Sequence, residues 1–276
     1  MDTDRLLGDF LRARRQTTTL DQVGLSHGDH RRRTPGLRRE EVAMLAGVST
    51  DYYIRLEQGR ERRPSDQVLD ALAQVLQLDA WATDHLHELA RPKAIKRTTE
   101  GRTDRVSPTL ERLMLGWRNT PAVVVNRRLD VLGGNSLGEA LYEGLDHRDN
   151  LLRLTFLNPD ARVFYRDWEK DAASKTAQLH TAAAADHDDP LLIELLAELS
   201  RESADFRRMW ARHDVRAKTT DSVRFHHYLA GDLTLSYEAF TVNSCPDQDL
   251  FIFQAEPGSP SEQALTRLRS RVAIAG

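Results

Sequence analysis

The stretch 37–65 constrains the fold most, because it predicts two short helices joined by a tight turn. Apolar residues recur at helical spacing over 38–46 and again over 50–58. The sequence of the whole stretch is LRREEVAMLAGVSTDYYIRLEQGRERRPS. Gly47 lies between these segments, where a glycine adopts a positive φ most easily. Ser49 is placed to cap the N-terminus of the second helix. The sequence therefore predicts a helix, a turn and a second helix that packs across the first.

The second predicted helix has a polar face suited to reading DNA. Its polar face carries Thr50, Asp51, Tyr52 and Arg55. In such an arrangement the second helix projects its N-terminal side chains into the major groove. Arg55 can form a bidentate contact with guanine O6 and N7, and Thr50 can contact a thymine methyl group or a base acceptor. Asp51 can accept from cytosine N4 or satisfy the helix N-terminus, and both interpretations stay open.

Arginines flank the two helices on both sides, which favours contact with a phosphate backbone. The first 97 residues hold 17 Lys+Arg against 15 Asp+Glu, which is a net charge of only +2. The placement of the arginines therefore matters more than the net charge. Arg39 can reach either a phosphate or a base edge. Double-stranded DNA is the expected partner. The predicted DNA-binding residues are Arg38, Arg39, Ser49, Thr50, Asp51, Tyr52, Arg55, Arg60, Arg62 and Arg63.

Two domains are expected, joined by a polar linker. Residues 1–92 form a predicted bundle of five helices, and 93–106 are polar and poor in apolar residues. Residues 107–276 mix strands and helices, which indicates an α+β layout. The bundle helices are expected at 4–16, 38–46, 50–58, 65–77 and 79–90. Later helices are expected at 108–119, 160–185, 190–201, 203–213 and 260–274. Strands are expected at 122–126, 129–134, 215–219, 222–229, 233–242 and 249–255.

Composition and motifs exclude several classes of protein. No apolar run approaches the roughly 20 residues of a membrane span, and the N-terminal residues lack the layout of a secretory signal, so a cytoplasmic location is expected. Cys245 is the only cysteine, which argues against a thiolate metal site. His226 and His227 are adjacent on a predicted strand and should point to opposite faces, so they do not form a metal site. No phosphate loop or nucleophile elbow is present, so neither catalysis nor an obligatory cofactor is expected.

The N-terminal motif resembles a known family of regulators. The core EEVAMLAGVS, the LEQG at the end of the second helix and the following RRP are similar to the lambda/434 repressor-type (XRE) helix-turn-helix family. The resemblance covers residues 5–90. It implies that Glu57 holds the end of the recognition helix structurally. A homodimer is expected as well, because one recognition helix reads only a few base pairs and two-fold dimers span two half-sites.

The second domain resembles the MmyB-like ligand-binding domain of regulators. The similar stretches are PAVVVNRRLDVLGGN (121–135), NLLRLTFLNPDARVFYRDWE (150–169), DFRRMWARHDVR (205–216), GDLTLSYE (231–238) and AEPGSPSEQAL (255–265). The resemblance implies a PAS-like fold, in which helices cover a small antiparallel sheet. It also implies a fatty acid or a similar apolar molecule between sheet and helices.

Large side chains in this domain can line such a pocket or form an ordinary core. The predicted ligand-binding residues are Asn135, Phe156, Arg162, Tyr165, Trp168, Phe206, Trp210 and His213. The polar members can instead cap or bridge neighbours, and Asp167 is an expected partner of Arg162. Two hypotheses follow. An apolar effector in this domain regulates DNA binding, or the domain is only a scaffold for dimerisation.

Overall fold

The computed structural model describes residues 3–25, 36–61, 64–90, 104–186, 188–212 and 221–275. Within these ranges the chain forms thirteen α-helices, one short 3-10 helix and five β-strands, which confirms the mixed α and β class. None of the described helices combines the length and the apolar character needed to cross a membrane.

Contacts between residues divide the chain into two compact units. The first comprises Met1–Ile95, His180–Ala197 and Phe206–Ala217. The second comprises Lys96–Leu179, Glu198–Asp205 and Lys218–Gly276. The sequence-based boundaries assign 180–197 and 206–217 to the second domain, whereas these segments group by contact with the first unit.

The first unit contains the predicted helical bundle. Its first five helices are α1 (Thr3–Thr17), α2 (Arg39–Leu45), α3 (Thr50–Glu57), α4 (Asp66–Val75) and α5 (Ala80–Ala90). They bury one apolar face each, as their periodicity predicts. The fully buried side chains at the centre are Phe10, Leu11, Leu37, Val42, Tyr53, Leu56, Leu69, Leu72 and Leu86. Helices α2 and α3 pack on each other, and α1 packs on α3.

Local interactions fix the turn between α2 and α3. The Ser49 hydroxyl accepts a hydrogen bond from the Tyr52 backbone N–H at 3.2 Å, which confirms the predicted cap. Gly47 adopts a φ of 68°, a conformation that residues with a Cβ atom rarely take. At the start of α2, the Glu41 carboxylate accepts from the Arg38 N–H at 2.6 Å, and the Arg38 carbonyl accepts from the Glu41 N–H at 3.1 Å. The N-termini of α2 and α3 are thereby stabilised by residues within the motif itself.

A close backbone approach brings α1 against the end of α3. A Cβ atom added at Gly8 would lie 2.4 Å from the Glu57 carbonyl oxygen. Real Cβ atoms essentially never come that close to backbone, so glycine is required at this crossing. The approach places α1 where its later residues reach the Glu57 side chain.

The second unit is built on a five-stranded antiparallel sheet. The strands are β1 (Ala122–Asn126), β2 (Val131–Gly134), β3 (Asp221–His227), β4 (Gly231–Thr241) and β5 (Gln248–Ala255). Their order across the sheet is β2-β1-β5-β4-β3, and every neighbouring pair is antiparallel. The strands predicted for these segments are confirmed. The strand predicted at 215–219 lies outside the described residues.

Side chains alternate between the two faces of the sheet. On one face, Val124 of β1 and Leu250 of β5 pack with Met114 of α6 (Pro108–Leu115). The opposite face presents Phe225 and Phe253, whose ring centroids lie 6.0 Å apart. The remaining helices are α7 (Ser136–Leu141), α8 (Leu151–Leu157), α9 (Ala161–Phe164), α10 (Trp168–Ala185), α11 (Pro190–Glu202), α12 (Ala204–Trp210) and α13 (Pro260–Ala275).

The helix predicted at 160–185 is wrong in one respect, because the structure divides it into α9 and α10. Tyr165 forms an isolated antiparallel bridge with Phe225 of β3. The next residue, Arg166, donates its backbone N–H to the Arg224 carbonyl at 2.9 Å. The backbone between the two helices therefore pairs with the edge strand β3 and leaves the helical conformation. A similar difference is found at 108–119, where α6 ends at Leu115 and Gly116 follows as its cap.

Candidate functional site

Helix α3 presents a stripe of exposed polar residues on the first unit. Asp51, Arg55 and Gln58 are exposed and follow one another at helical spacing, with Gln58 directly after the last helical residue. Thr50 and Tyr52 are half-buried beside them. The stripe is the face that the sequence assigns to DNA, with Gln58 as an addition. Its position three residues after Arg55 is the signal that identifies it.

The Arg55 side chain is held loosely at the surface. Its guanidinium carbon lies 5.7 Å from the centroid of the Tyr52 ring, and its Nε lies 3.8 Å from a carboxylate oxygen of Glu61. The side chain is 48% exposed, so its remaining donors face solvent. A planar fork of donors at this position suits the acceptor pair O6 and N7 of a guanine.

A buried carboxylate holds three segments of the helical bundle together. The Glu57 side chain is 2% exposed and accepts from Arg15 Nε at 2.5 Å and from Arg39 Nε at 2.7 Å. Arg15 also donates through Nη1 to the Leu37 carbonyl at 2.9 Å. These bonds join α1, the end of α3 and the chain that enters α2. Glu57 thus has the structural position that the resemblance implies, and its bonds fix the orientation of α3.

The structure describes eight of the ten predicted DNA-binding residues. Arg38 and Arg60 are exposed beside the two helices. Arg39 is 43% exposed, but its Nε is bonded to Glu57, which leaves only the rest of its guanidinium for a phosphate or a base. Ser49 is exposed and uses its hydroxyl as the cap of α3. Arg62 and Arg63 lie outside the described residues.

The Glu57 interactions predict a dependence of stability on pH. Burial acts to raise the pKa of Glu57, but hydrogen bonds and charges from Arg15 and Arg39 outweigh it, so this pKa is lowered. The carboxylate therefore contributes stability above its unfolded pKa of about 4.3, and this contribution is lost as pH falls through the lowered folded pKa. Between about pH 7 and about pH 3, we expect wild type to lose more unfolding free energy than Glu57→Gln does. Urea unfolding of both proteins at the two pH values measures this, and parallel losses would contradict it.

A cavity lies in the second unit, between the sheet and α10. Its volume is about 40 Å³, and it reaches about 410 Å³ when the space that opens to solvent is included. Three phenylalanines and three tyrosines give it a mainly aromatic wall. The lining comprises Tyr142, Leu151, Tyr165, Asp171, Ser174, Lys175, Gln178, Val223, Phe225, Tyr237, Phe251 and Phe253. The cavity lies between sheet and helices, which is where the family resemblance implies a site for an apolar molecule.

Helix α10 supplies the polar side of this cavity. Asp171, Ser174, Lys175 and Gln178 lie on one helical face, because they are spaced by three, one and three residues. The Lys175 ammonium lies 4.2 Å from the centroid of the Tyr165 ring. Burial lowers the pKa of Lys175, and the Asp171 charge opposes this shift. None of these four residues is among those predicted from the sequence to bind a ligand, although their spacing within an alanine-rich helix is a usable signal.

Of the predicted ligand-binding residues, Tyr165 lines the cavity and Asn135 does not. The Asn135 side chain is buried and caps α7 by accepting from the Gly138 N–H at 2.8 Å. It also accepts from the Ala122 N–H at 3.0 Å. Its amide donates to the backbone carbonyls of Met114, Trp117 and Thr120. The capping role left open by the sequence is the one that the structure shows.

Three further candidates form a cluster in the second unit, outside the cavity lining. The Trp168 indole donates to the Thr155 carbonyl at 2.9 Å, and Phe156 meets its ring edge-on at 5.8 Å. The Arg162 guanidinium carbon lies 3.8 Å from the centroid of the Trp168 ring. Arg162 pairs with Asp205, so the expected pairing with Asp167 is wrong. Asp167 instead binds Arg224, whose donors are better placed for a two-point contact.

The last candidates belong to the first unit and also lie outside the cavity lining. Phe206 is fully buried and stacks on Trp210 with ring centroids 5.6 Å apart. Trp210 stacks in turn on His180 at 3.7 Å, and its carbonyl lies 3.1 Å from His180 Nε2. These aromatic residues form a packed stack. His213 lies outside the described residues.

The two adjacent histidines point to opposite faces of β3, as strand alternation predicts. His226 is exposed beside Asp232 and Arg166. His227 is buried, and its Nε2 bonds the Ala140 carbonyl at 3.0 Å while Nδ1 accepts from backbone N–H groups. Burial lowers the pKa of His227, which favours the neutral ring. Among the residues that the structure describes, no group of three or more His, Cys, Asp or Glu side chains could hold a metal ion.

Comparisons with known proteins agree with this geometry in both parts of the chain. The family model of a helix-turn-helix domain matches residues 6–86. The family model of the MmyB-like transcription regulator ligand binding domain matches residues 106–268, which is more than half of the chain. A search of curated proteins finds no match. The chain therefore belongs to the MmyB-like transcription regulators and is a DNA-binding regulator with an N-terminal helix-turn-helix domain.

Proposed function

We propose that this regulator binds specific double-stranded sites as a homodimer, in the manner of lambda/434 repressor-type (XRE) proteins. The exposed stripe of Asp51, Arg55 and Gln58 on α3 is the observation that carries the proposal. A dimer presents two such stripes to half-sites one or more helical turns apart. The protein acts in the cytoplasm on nucleoid DNA, and it acts by binding rather than by catalysis.

Arg55 and Arg60 should affect binding in different ways. Arg55→Ala is expected to weaken binding to the cognate site by about 1–3 kcal/mol and to relax specificity at one base pair, because a guanine loses its bidentate partner. Arg60→Ala is the matched control, since it removes an exposed arginine that follows the helix. It should weaken cognate and random DNA equally and reduce the salt dependence. Fluorescence anisotropy with both DNAs at several salt concentrations tests this; if both variants bind as wild type does, α3 does not read the DNA.

We further propose that an apolar, fatty-acid-like effector binds in the cavity between the sheet and α10 and controls DNA binding. The aromatic wall with a few polar groups on one side supports this proposal, since small-molecule sites are built in this way. The cavity volume of about 40 Å³ has room for only a few water molecules. An effector that is fully enclosed there must therefore displace side chains when it enters. Such a displacement gives the effector a preference for one state of the protein, which coupling requires.

Titration of dodecanoate against the protein on its cognate DNA tests this coupling. Occupancy is followed by native mass spectrometry, and DNA affinity by anisotropy in the same solutions. Operator affinity should change by about 5- to 150-fold between the empty and the occupied protein. Unchanged operator affinity at full occupancy would exclude regulation by this ligand.

The small volume of the cavity favours a second candidate, in which the domain only supports dimerisation. In that case the aromatic residues are core, and neither fatty acids nor related molecules bind. Both candidates predict a dimer, so they differ in whether dodecanoate binds. A dimer that native mass spectrometry shows without bound dodecanoate at saturating concentrations would support the scaffold role and contradict the effector.

A further inference from the structure

We propose that a second copy of this chain docks on the exposed side of α6, so that the two α6 helices lie antiparallel across a two-fold axis. The proposal rests on the homodimer proposed above and names the surface that forms it. It starts from three large apolar side chains that are exposed on one face of the second unit. The residues of this surface, termed the α6 surface, are Glu111, Leu113, Leu115, Arg118 and Phe240.

The centre of the α6 surface is apolar and open to solvent. Leu113 and Leu115 are 53% and 67% exposed, on the two sides of the buried Met114. Phe240 of β4 is 52% exposed and lies directly opposite Leu250 of β5, which packs on Met114. Residues opposite each other in an antiparallel pair share a face of the sheet, so Phe240 lies on the face that α6 covers. Apolar side chains gathered in this way on a surface mark a site of protein association.

The charged residues of the α6 surface favour a second copy over an unlike protein. Glu111 lies four residues before Leu115, one helical turn away on the same side of α6. Arg118 is exposed three residues after Leu115, just past the end of the helix. The order along this side is therefore an acid, an apolar residue and a base. A two-fold axis close to Leu115 places Glu111 of each copy opposite Arg118 of the other, and a two-fold interface needs a surface that is complementary to itself in this way.

Docking at the α6 surface is compatible with the other functions proposed for the chain. The cavity is lined from the opposite face of the sheet, which carries Phe225 and Phe253, so the docked copy does not cover it. Helix α6 is also the first described helix after the predicted linker. Pairing at α6 therefore brings the C-terminal ends of the two linkers together. A dimer that reads two neighbouring half-sites needs its two chains to be joined in such a way.

Sedimentation velocity of the full chain at several micromolar concentrations tests the apolar centre. Wild type should form a dimer, and Leu115→Glu should raise the dimer Kd at least about 100-fold, because it brings two carboxylates together near the axis. Leu191→Glu is the matched control, since Leu191 is a 50% exposed leucine on α11, in the first unit. This variant should dimerise as wild type does. Far-UV circular dichroism checks that each variant is folded.

Charge reversal tests the two-fold pairing itself. Glu111→Arg alone and Arg118→Glu alone should each raise the dimer Kd about 10-fold, because two attractive pairs become two repulsive ones. An equimolar mixture of these two variants should form a heterodimer with wild-type affinity, since both pairs across its axis again have opposite signs. The double variant, which carries both substitutions in one chain, should dimerise as wild type does for the same reason.

The outcomes separate the α6 surface from the homodimer as a whole. Persistence of the wild-type Kd in Leu115→Glu or in the single charge variants would refute the α6 surface, and so would a mixture that restores no dimer. Each of these results leaves the proposed homodimer intact with a different interface. A wild type that stays monomeric at every concentration, with and without its cognate DNA, would contradict the homodimer and the α6 surface together.

Discussion

Replacing Glu57 with alanine is expected to lower the free energy of unfolding by about 3–5 kcal/mol, the cost of breaking a buried ion pair from one side. The change leaves the Arg15 guanidinium, which is 8% exposed, without its carboxylate partner. It also releases Arg39 and the end of α3. Urea unfolding of the full chain, followed by far-UV circular dichroism, measures the loss. Sequence-specific DNA binding should weaken as well, because α3 loses its fixed orientation.

Two further variants show whether the buried contacts of Glu57 are the cause of this loss of stability. Glu40→Ala removes an exposed carboxylate from α2 and should change stability by no more than about 0.5 kcal/mol. Glu57→Gln keeps the size of the side chain and loses its charge, so its effect should fall between the other two. A Glu57→Ala protein as stable as Glu40→Ala would show that the Glu57 contacts do not hold the bundle.

Replacing Asn135 with alanine is the second change with a large expected effect. We expect a loss of about 2–4 kcal/mol in unfolding free energy, from a lost helix cap and from buried backbone groups left without partners. The Asn135 side chain is 4% exposed and serves two N–H donors and three carbonyls. It joins the end of α6, the start of β1 and the first turn of α7. Urea unfolding gives the change in stability.

Asn243→Ala is the control for Asn135, because Asn243 is an exposed residue in the connection between β4 and β5. Its unfolding free energy should stay within about 0.5 kcal/mol of wild type. Binding of dodecanoate distinguishes the structural role of Asn135 from the predicted ligand contact. A stable Asn135→Ala protein that no longer binds dodecanoate would assign Asn135 to the ligand and contradict its role as a cap.

The helix-turn-helix could be predicted well because its signals are local. Gly47 and Ser49 act within one turn of chain, and their roles do not depend on distant residues. The break between α9 and α10 could not be predicted in this way. It depends on the pairing of Tyr165 with Phe225, which lies sixty residues later in the sequence. Helical periodicity alone continues through this point, so only the edge of the sheet ends the helix.

The two candidate sites differ in how far the sequence predicts them. The exposed face of α3 follows from helical geometry once the buried face is known, so the sequence alone predicts that Asp51 and Arg55 are exposed. The cavity depends on packing between distant elements. Large size is a poor guide to its lining, because Phe206 and Trp168 pack elsewhere while the smaller Lys175 faces the cavity.

Sequence-specific DNA binding is tested most directly by selecting ligands for the wild-type protein from random double-stranded DNA. Affinity for the selected sequence and for a scrambled control is then measured at several salt concentrations. The selected sequence should contain two related half-sites and should bind at least about 1,000-fold more tightly than the control at physiological salt. Equal affinity for both sequences, or selection that enriches no sequence, would contradict a DNA-reading role for α3.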